Sequence, residues 1–342
     1  MTVTARSFAK INLGLYIGPP RADGFHELRT VYQTIALYDV IRVRVRRGAA
    51  IEIVCDDPRV PRDESNTCFR IVERAMKELG VTGKVAIEIE KRLPVQGGMG
   101  AASSNAVATM LALERALKKC LSGPARLRTA AEVGSDLPQF LVGGTSLGVG
   151  RGEEVYPLPD LPVMPLVVVT PEVGVSTPKA FADWDAWMER QDTAEIPSAG
   201  WTGAAAPHST AELTAPDASD RLLQVGRVLS AWLSGSPHTG APAISGSRAG
   251  SSLLDLVRAG IENDFEKVVF PQYPELRDIK RALERVGAGY ASLSGSGSTV
   301  YGLFQTRAAA SGAAGILRKR GLAAIATTTL TRAQYWKKIV DC

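Results

Sequence analysis

The chain of 342 residues has little cysteine, little histidine and few aromatics, and each scarcity closes off a class of protein. Cys55, Cys68, Cys120 and Cys342 stand far apart with no CxxC pair, and only His26, His208 and His238 could join them. Structural zinc needs paired ligands at short spacing, so the pattern argues for isolated, reduced thiols and against a zinc site. Aromatic residues make up 6% of the chain and are not interleaved with the basic ones, so a stacking platform for nucleic acid is missing. The net charge of +5 is spread along the chain; Arg42, Arg44 and Arg46 alternate with Ile41, Val43 and Val45, as on a solvated strand face. Long apolar runs are missing too. "LPVMPLVVVT" falls well short of a membrane span, and "MTVTARSFAKINL" lacks the charged head, apolar stretch and cleavage site of an export signal. The expectation is a cytoplasmic protein acting on a small molecule, with no nucleic acid or membrane as partner. Anionic substrates suit its charge.

What is present is an ordinary globular composition, 45% hydrophobic and 22% charged, in a chain long enough for two domains. Up to about residue 100 the apolar pattern has period two in "IRVRVRR", "AIEIVC" and "KVAIEIEK", where Val85, Ile87 and Ile89 share one face. A helix over about 66–79 interrupts it, with Phe69, Val72, Met76 and Leu79 at helical spacing and Gly80 as its stop. A second helix is expected from about 103, capped by Ser103 or Ser104, with a buried stripe of Val107, Met110, Leu111 and Leu117. Later elements are a buried strand "PLVVVT", a helix over 274–286, two short strands around "SLSGSGSTVYGLF", a helix, and a last strand "AIATTTL". Residues 190–252 are rich in Ala, Ser, Thr, Gly and Pro and predict long surface loops around one helix at 220–234.

Between a strand and a helix lies "LPVQGGMGAASSN", residues 93–105, glycine-rich and without the lysine of a Walker loop. Free amides at a helix start, with the positive end of the dipole behind them, bind anions. Gly97, Gly98 and Gly100 allow positive φ and close approach to a ligand, and Ser103 and Ser104 add hydroxyls for phosphate or Mg²⁺. A tight turn with no ligand explains three glycines equally well. Lys10 sits in an apolar segment, where a charge is costly unless used, though a lysine snorkelling from a strand edge is the plainer reading. His26 reads as a satisfied core histidine and Asp136 as a helix N-cap when each is taken alone. A second donor-rich loop, with Gly295 and Gly297 between Ser294, Ser296 and Ser298, makes two phosphate-type loops in one chain. With Lys10 and Asp136 they point to phosphoryl transfer, which rests on positioning and electrostatics.

The loop "PVQGGMGAASSNA" resembles the second motif of the GHMP kinase superfamily, whose members include galactokinase and the homoserine and mevalonate kinases. "AKINLGLYI", "RADGFHELRTVYQTIALYD", "GSDLPQFLVGGTSLGVGRGE", "IENDFE" and "LSGSGSTVYGLF", in that order over about residues 6–305, are similar to one branch of it. That branch phosphorylates the 2-hydroxyl of a cytidine-diphosphate-linked methylerythritol in non-mevalonate isoprenoid synthesis. The resemblance implies an α+β fold: an N-terminal domain like ribosomal protein S5 over 1–160 and a ferredoxin-like domain over 161–342, with the site between them. It implies ATP and Mg²⁺ as cofactors and a monomer or weak homodimer. Lys10 and Asp136 match the catalytic pair; Asn12, Phe25, His26 and Phe181 match the substrate side, His26 at the cytosine edge and Phe181 stacked on the ring. Asn66 and Lys91 match positions near adenine; Gly97, Gly98, Gly100, Ser103 and Ser104 match the triphosphate loop, with Ser104 as metal ligand; Gly295 and Ser296 fall in the third motif. Ala101 and Ala102 stand where the family usually has glycine, and Gln139 where it has an aromatic. A GHMP kinase for another alcohol and a ligand-binding relative without turnover are the competing readings.

Overall fold

The structure, a computed structural model, describes residues 2–95, 97–194 and 261–340. The helix expected at 220–234, most of the loop-rich 190–252 stretch, His208, His238 and Cys342 lie outside the described residues.

Alternation of apolar and polar residues builds the first sheet. Strand β1 (Thr2–Pro20) and β2 (His26–Arg46) pair antiparallel around a turn in which Gly24 takes φ 80°. The other edge of β2 is shared: β4 (Lys84–Glu90) pairs with its residues 40–46 and β5 (Thr145–Val149) with its residues 30–33. β3 (Ala50–Cys55) runs parallel to β4 and β6 (Glu154–Pro157) closes the far edge. A parallel pair needs a crossover, and α1 (Thr67–Glu78) supplies it. Its start is set by the Asn66 side chain, which accepts from the Cys68 amide, and just past its end Gly80 takes φ 60°. Val85, Ile87 and Ile89 are buried with Ile41, Val43 and Val72, as their spacing predicts.

α2 (Ala101–Leu117) corrects the sequence-based expectation twice. It starts two residues early, because Gly100 takes φ 66° at its N-cap and the turn itself launches the helix with no capping side chain. Ser103 and Ser104 therefore lie inside the first turn. Nor is the buried surface a stripe: every residue from Ser104 to Glu114 is buried, since α2 is packed between β1, β2, α1 and α4 (Leu137–Val142). α3 (Gly123–Val133) precedes α4.

The second sheet is antiparallel, in the order β10-β7-β9-β8: β7 is Pro165–Val169, β8 Tyr290–Leu293, β9 Val300–Leu303 and β10 Ala324–Thr328. Around it lie α5 (Thr177–Ala194), α6 (Glu266–Gln272), α7 (Pro274–Arg285) and α8 (Arg307–Lys319). α5 carries helix through residues 190–194, where loop was expected. Val167 and Val169 pack with Leu276, Leu283 and Leu317, while Leu166 and Val168 on the opposite face pack against Ile11 and Leu13 of β1. A third cluster of apolar side chains thus welds the two sheets. The chain then recrosses: α9 (Arg332–Ile339) buries Tyr335 and Ile339 in the first core, and Leu15 and Ile17 of β1 belong to the second. Strands of the first sheet fall within residues 2–157 and those of the second within 165–328, but the last helix returns to the first body. Among the described residues no helix is long and apolar enough to cross a membrane.

Candidate active site

Lys10 and Asn12 leave the same face of β1, two residues apart, between irregularities in its pairing with β2. Lys10 is 3% exposed. Its Nζ donates to Asn12 Oδ1 at 2.7 Å, lies 3.4 Å from Asp136 Oδ2 and stands 5.5 Å from the centre of the Tyr32 ring. Asn12 Nδ2 donates to Thr30 Oγ1 at 2.7 Å, and that hydroxyl donates to Gly14 O at 2.8 Å. Each member of the chain is thereby oriented by the next, and the buried ammonium is paired.

Asp136 directly precedes α4, where an N-cap was the plain reading, yet its carboxylate caps no amide. Oδ1 accepts from Tyr32 Oη at 3.1 Å while Oδ2 faces Lys10. Tyr32 is a site residue that sequence reasoning missed; the available signal was its register opposite Asn12 on β2. Burial, and after it the Asp136 charge, pushes the Tyr32 hydroxyl well above its ordinary pKa. It therefore stays protonated and acts as a donor.

The glycine loop runs past Lys10, whose amide donates to Met99 O at 3.1 Å. Gly98 takes φ 74°, and a Cβ there would lie 2.2 Å from Ser294 O; one on Gly100 would lie 2.9 Å from Phe140 Cζ and 3.2 Å from Lys10 Cε. Gly97 is not in the left-handed region, and its Cβ would meet Pro94 Cγ at 2.9 Å. These glycines thus admit other parts of the protein, where the sequence reading had them admitting ligand. The second glycine loop is the partner: Thr299 N donates to Gly97 O at 3.1 Å and Ser294 Oγ to Gly98 O at 3.0 Å. Asn263, from "IENDFE", donates to Leu293 O and Gly295 O and holds that loop in turn. Ser296 hydrogen-bonds Thr177 at 2.8 Å.

Ser103 and Ser104 part company. Ser103 lines the cleft on both sides of the loop. Ser104 is buried, donating to Phe8 O and accepting from Ser7 Oγ, both at 2.7 Å. Its expected role as a metal ligand is corrected on that ground: the hydroxyl is turned into the core by the helix starting at Ala101.

A cavity of about 390 Å³ beside the loop is lined by Asn66, Lys91, residues 97–103 and Asn105. Asn66 Oδ1 accepts from the Cys68 amide in capping α1 and its Nδ2 donates to Pro61 O, which fixes the side chain at the rim. Lys91 pairs with the buried Asp39 carboxylate, which also accepts from the amides of Arg92 and Leu93 at 2.7 Å and from Asn105 Nδ2 at 3.1 Å. A carboxylate only accepts, so it holds the Nδ2 end of Asn105, and the Oδ1 of that side chain is buried with no partner among the described residues. Asp39 and Asn105, like Tyr32, went unnoticed in the sequence because nothing local marks them.

On the other side a cavity of about 650 Å³ brings together Lys10, Asn12, Asp136, Phe25, His26 and Phe181. The Phe181 ring stacks on His26, 5.1 Å away at 13°, and meets Phe265 edge-on at 5.0 Å. His26 Nε2 lies 2.6 Å from Asp185 Oδ1. Phe25 is half exposed, with the Arg151 guanidinium 4.9 Å above its ring.

Residues 66–144 match the GHMP kinases N terminal domain and residues 243–322 the GHMP kinases C terminal family. The crystal structure of a homoserine kinase from Cytophaga hutchinsonii shares the fold, with TM-score 0.67 at 20% identity over 96% of this chain and 95% of that one. Fold and cleft define a two-domain GHMP-type kinase of small molecules. The crystal structure of a 4-(cytidine 5'-diphospho)-2C-methyl-D-erythritol kinase is similar over 95% of this chain and 98% of its own, with TM-score 0.67 and 26% identity. The 4-diphosphocytidyl-2-C-methyl-D-erythritol kinase of Solibacter usitatus is 35% identical over 303 residues, 88% of this chain and 81% of its own length. That of Moorella thermoacetica is 33% identical over 302 residues, 88% and 90%. The chain belongs to the 4-diphosphocytidyl-2-C-methyl-D-erythritol kinase family, and as a kinase it uses ATP.

Proposed function

We propose that this protein phosphorylates the 2-hydroxyl of 4-diphosphocytidyl-2-C-methyl-D-erythritol, with Mg²⁺, in the cytoplasm and as a monomer or weak homodimer. The observation that carries the reading is the Lys10 ammonium 3.4 Å from the Asp136 carboxylate, beside the amino end of α2. Asp136 accepts the proton of the attacking hydroxyl. Lys10, 3.4 Å from that carboxylate, aims it and offsets negative charge developing on the transferred group. Asn12 and Tyr32 hold the two in place. ATP with Mg²⁺ supplies the phosphoryl group and the cation that screens it. The free amides of the first turn of α2 and the helix dipole match a triphosphate, and Ser103 is the hydroxyl available to the cation. Phe181, His26 and Phe25 enclose the cytosine.

The test is ADP release with the cytidyl substrate set against other small alcohols such as homoserine and mevalonate; preference for another alcohol overturns the substrate assignment. Asp136→Asn keeps the shape and removes the base, so turnover falls by about two to four orders of magnitude with substrate affinity nearly intact. Parental turnover in that variant would take Asp136 out of the mechanism.

A further inference from the structure

α5 carries Phe181 and Asp185 one turn apart, so both leave the helix on one face. That face meets the start of β2, where His26, 8% exposed, has its ring on Phe181 and its Nε2 at 2.6 Å from Asp185 Oδ1. One helix turn from the second body thus grips a histidine of the first at two points. All three residues line the 650 Å³ cavity with Lys10 and Asp136. An ionised carboxylate has lone pairs and no hydrogen, so Nε2 carries the proton. In the neutral ring Nδ1 is then a bare acceptor. Among the described residues Nδ1 has no hydrogen-bond partner.

We propose that Asp185 is a positioning residue for base recognition: by holding His26 as the Nε2–H tautomer it offers Nδ1 as an acceptor to the exocyclic amine of cytosine, favouring cytidine over uridine conjugates. The proposal rests on the reading that His26 meets the cytosine edge. Its discriminating power is chemical. Cytosine presents an amine donor where uracil presents a carbonyl oxygen, and two acceptors facing each other leave both unpaired. Without the carboxylate the ring is free to move its hydrogen to Nδ1 and bond the uracil oxygen instead, so the preference collapses.

Two measurements on the full-length protein test this. ¹⁵N NMR of the unliganded protein, with the ring neutral and its signals assigned by His26→Gln, is expected to show Nε2–H in the parent and a mixed population in Asp185→Ala. Steady-state kinetics are then compared between the cytidyl substrate and its uridyl analogue. In Asp185→Ala, KM for the cytidyl substrate rises about tenfold, the value of one well-made polar contact in a pocket, while kcat stays within about twofold. KM for the uridyl analogue does not rise, so discrimination shrinks. Asp185→Glu restores much of it. Asp185→Asn keeps the volume but can donate or accept, and shifts the same way by less, which keeps the test intact if the alanine variant folds poorly. Equal movement of KM for both conjugates, or a tautomer unmoved by every substitution, overturns the proposal. Turnover of neither conjugate by the parent protein would remove the kinase reading itself, whereas good turnover with unaltered discrimination in the variants removes only the role of Asp185.

Discussion

The Tyr32 hydroxyl, 3.1 Å from Asp136 Oδ1 and 3.4 Å from Gly152 O, fixes the rotation of the carboxylate proposed as the base. Room for it is made by glycines: a Cβ on Gly148 would lie 2.5 Å from Tyr32 Cε2, and one on Gly152 2.6 Å from Oη. Tyr32→Phe removes one hydrogen bond and no volume. We expect kcat to fall roughly fivefold to tenfold with KM within about twofold, measured at saturating ATP. An unchanged kcat would mean that Lys10 alone orients the base. Lys10 and Asp136 were both legible in the sequence as candidates, since a lysine among apolar residues and an aspartate between helix and apolar run are visible locally. Tyr32 was not, because an aromatic on a strand is by default core, and only the pairing of β1 with β2 sets it opposite Asn12. Ser103 and Ser104 looked equivalent for a related reason: neighbours in a helix point apart, and which one faces the cleft depends on where the helix starts.

At the scale of elements, the join between loop and α2 is where local rules and packing meet. Ala101 and Ala102, in place of the usual glycines, are already the first two helical residues, so their methyls cost nothing in φ and favour the helix. Gly98 is different. Its φ of 74° and the 2.2 Å separation between a built Cβ and Ser294 O mean that any side chain pushes the two glycine loops apart. Gly98→Ala should lose about 1–3 kcal/mol of stability from backbone strain alone, and ATP should bind more weakly because the amides of the first turn shift with the loop. Chemical unfolding and nucleotide titration measure the two effects. Parental stability would show that the loops slide apart without cost. The sequence marked this loop correctly as glycine-dependent, but read the dependence as space for ligand; the neighbour that needs the space is distant in the chain.

Over the whole molecule, β1 and α9 tie the two bodies together. Tyr335 of α9 is fully buried, its hydroxyl donating to Phe140 O at 2.5 Å, and a Cβ on Gly143 would lie 2.4 Å from its ring. Phe140 and Gly143 belong to and end α4, the helix that begins beside Asp136. Through α4, α9 therefore braces the segment that carries Asp136. Tyr335→Ala is expected to cost about 3–5 kcal/mol, as for other large buried aromatics, and to lower kcat as α4 loosens; Tyr335→Phe, which loses only the hydrogen bond, costs about 1 kcal/mol. Thermal unfolding followed with kcat separates the two variants. A full kcat in Tyr335→Ala would uncouple α9 from the site.

Alternation placed β2, β3 and β4, helical spacing with Gly80 as its stop placed α1, and apolar periodicity placed α7, because those signals arise between residues a few positions apart. The motif order likewise marked the chain as a GHMP-type kinase. What the sequence could not decide is which polar groups share a neighbourhood. Lys10 with Asp136, Asn105 with Asp39, and His26 with Asp185 are each separated by many residues and by at least one element; Lys10, Asp136 and His26 each had an ordinary explanation, and nothing local marked the others. Their meeting depends on strand register, on where α2 starts and on how one body packs against the other. Those are properties of the packed core, in which the energy of every contact is shared among distant parts of the chain.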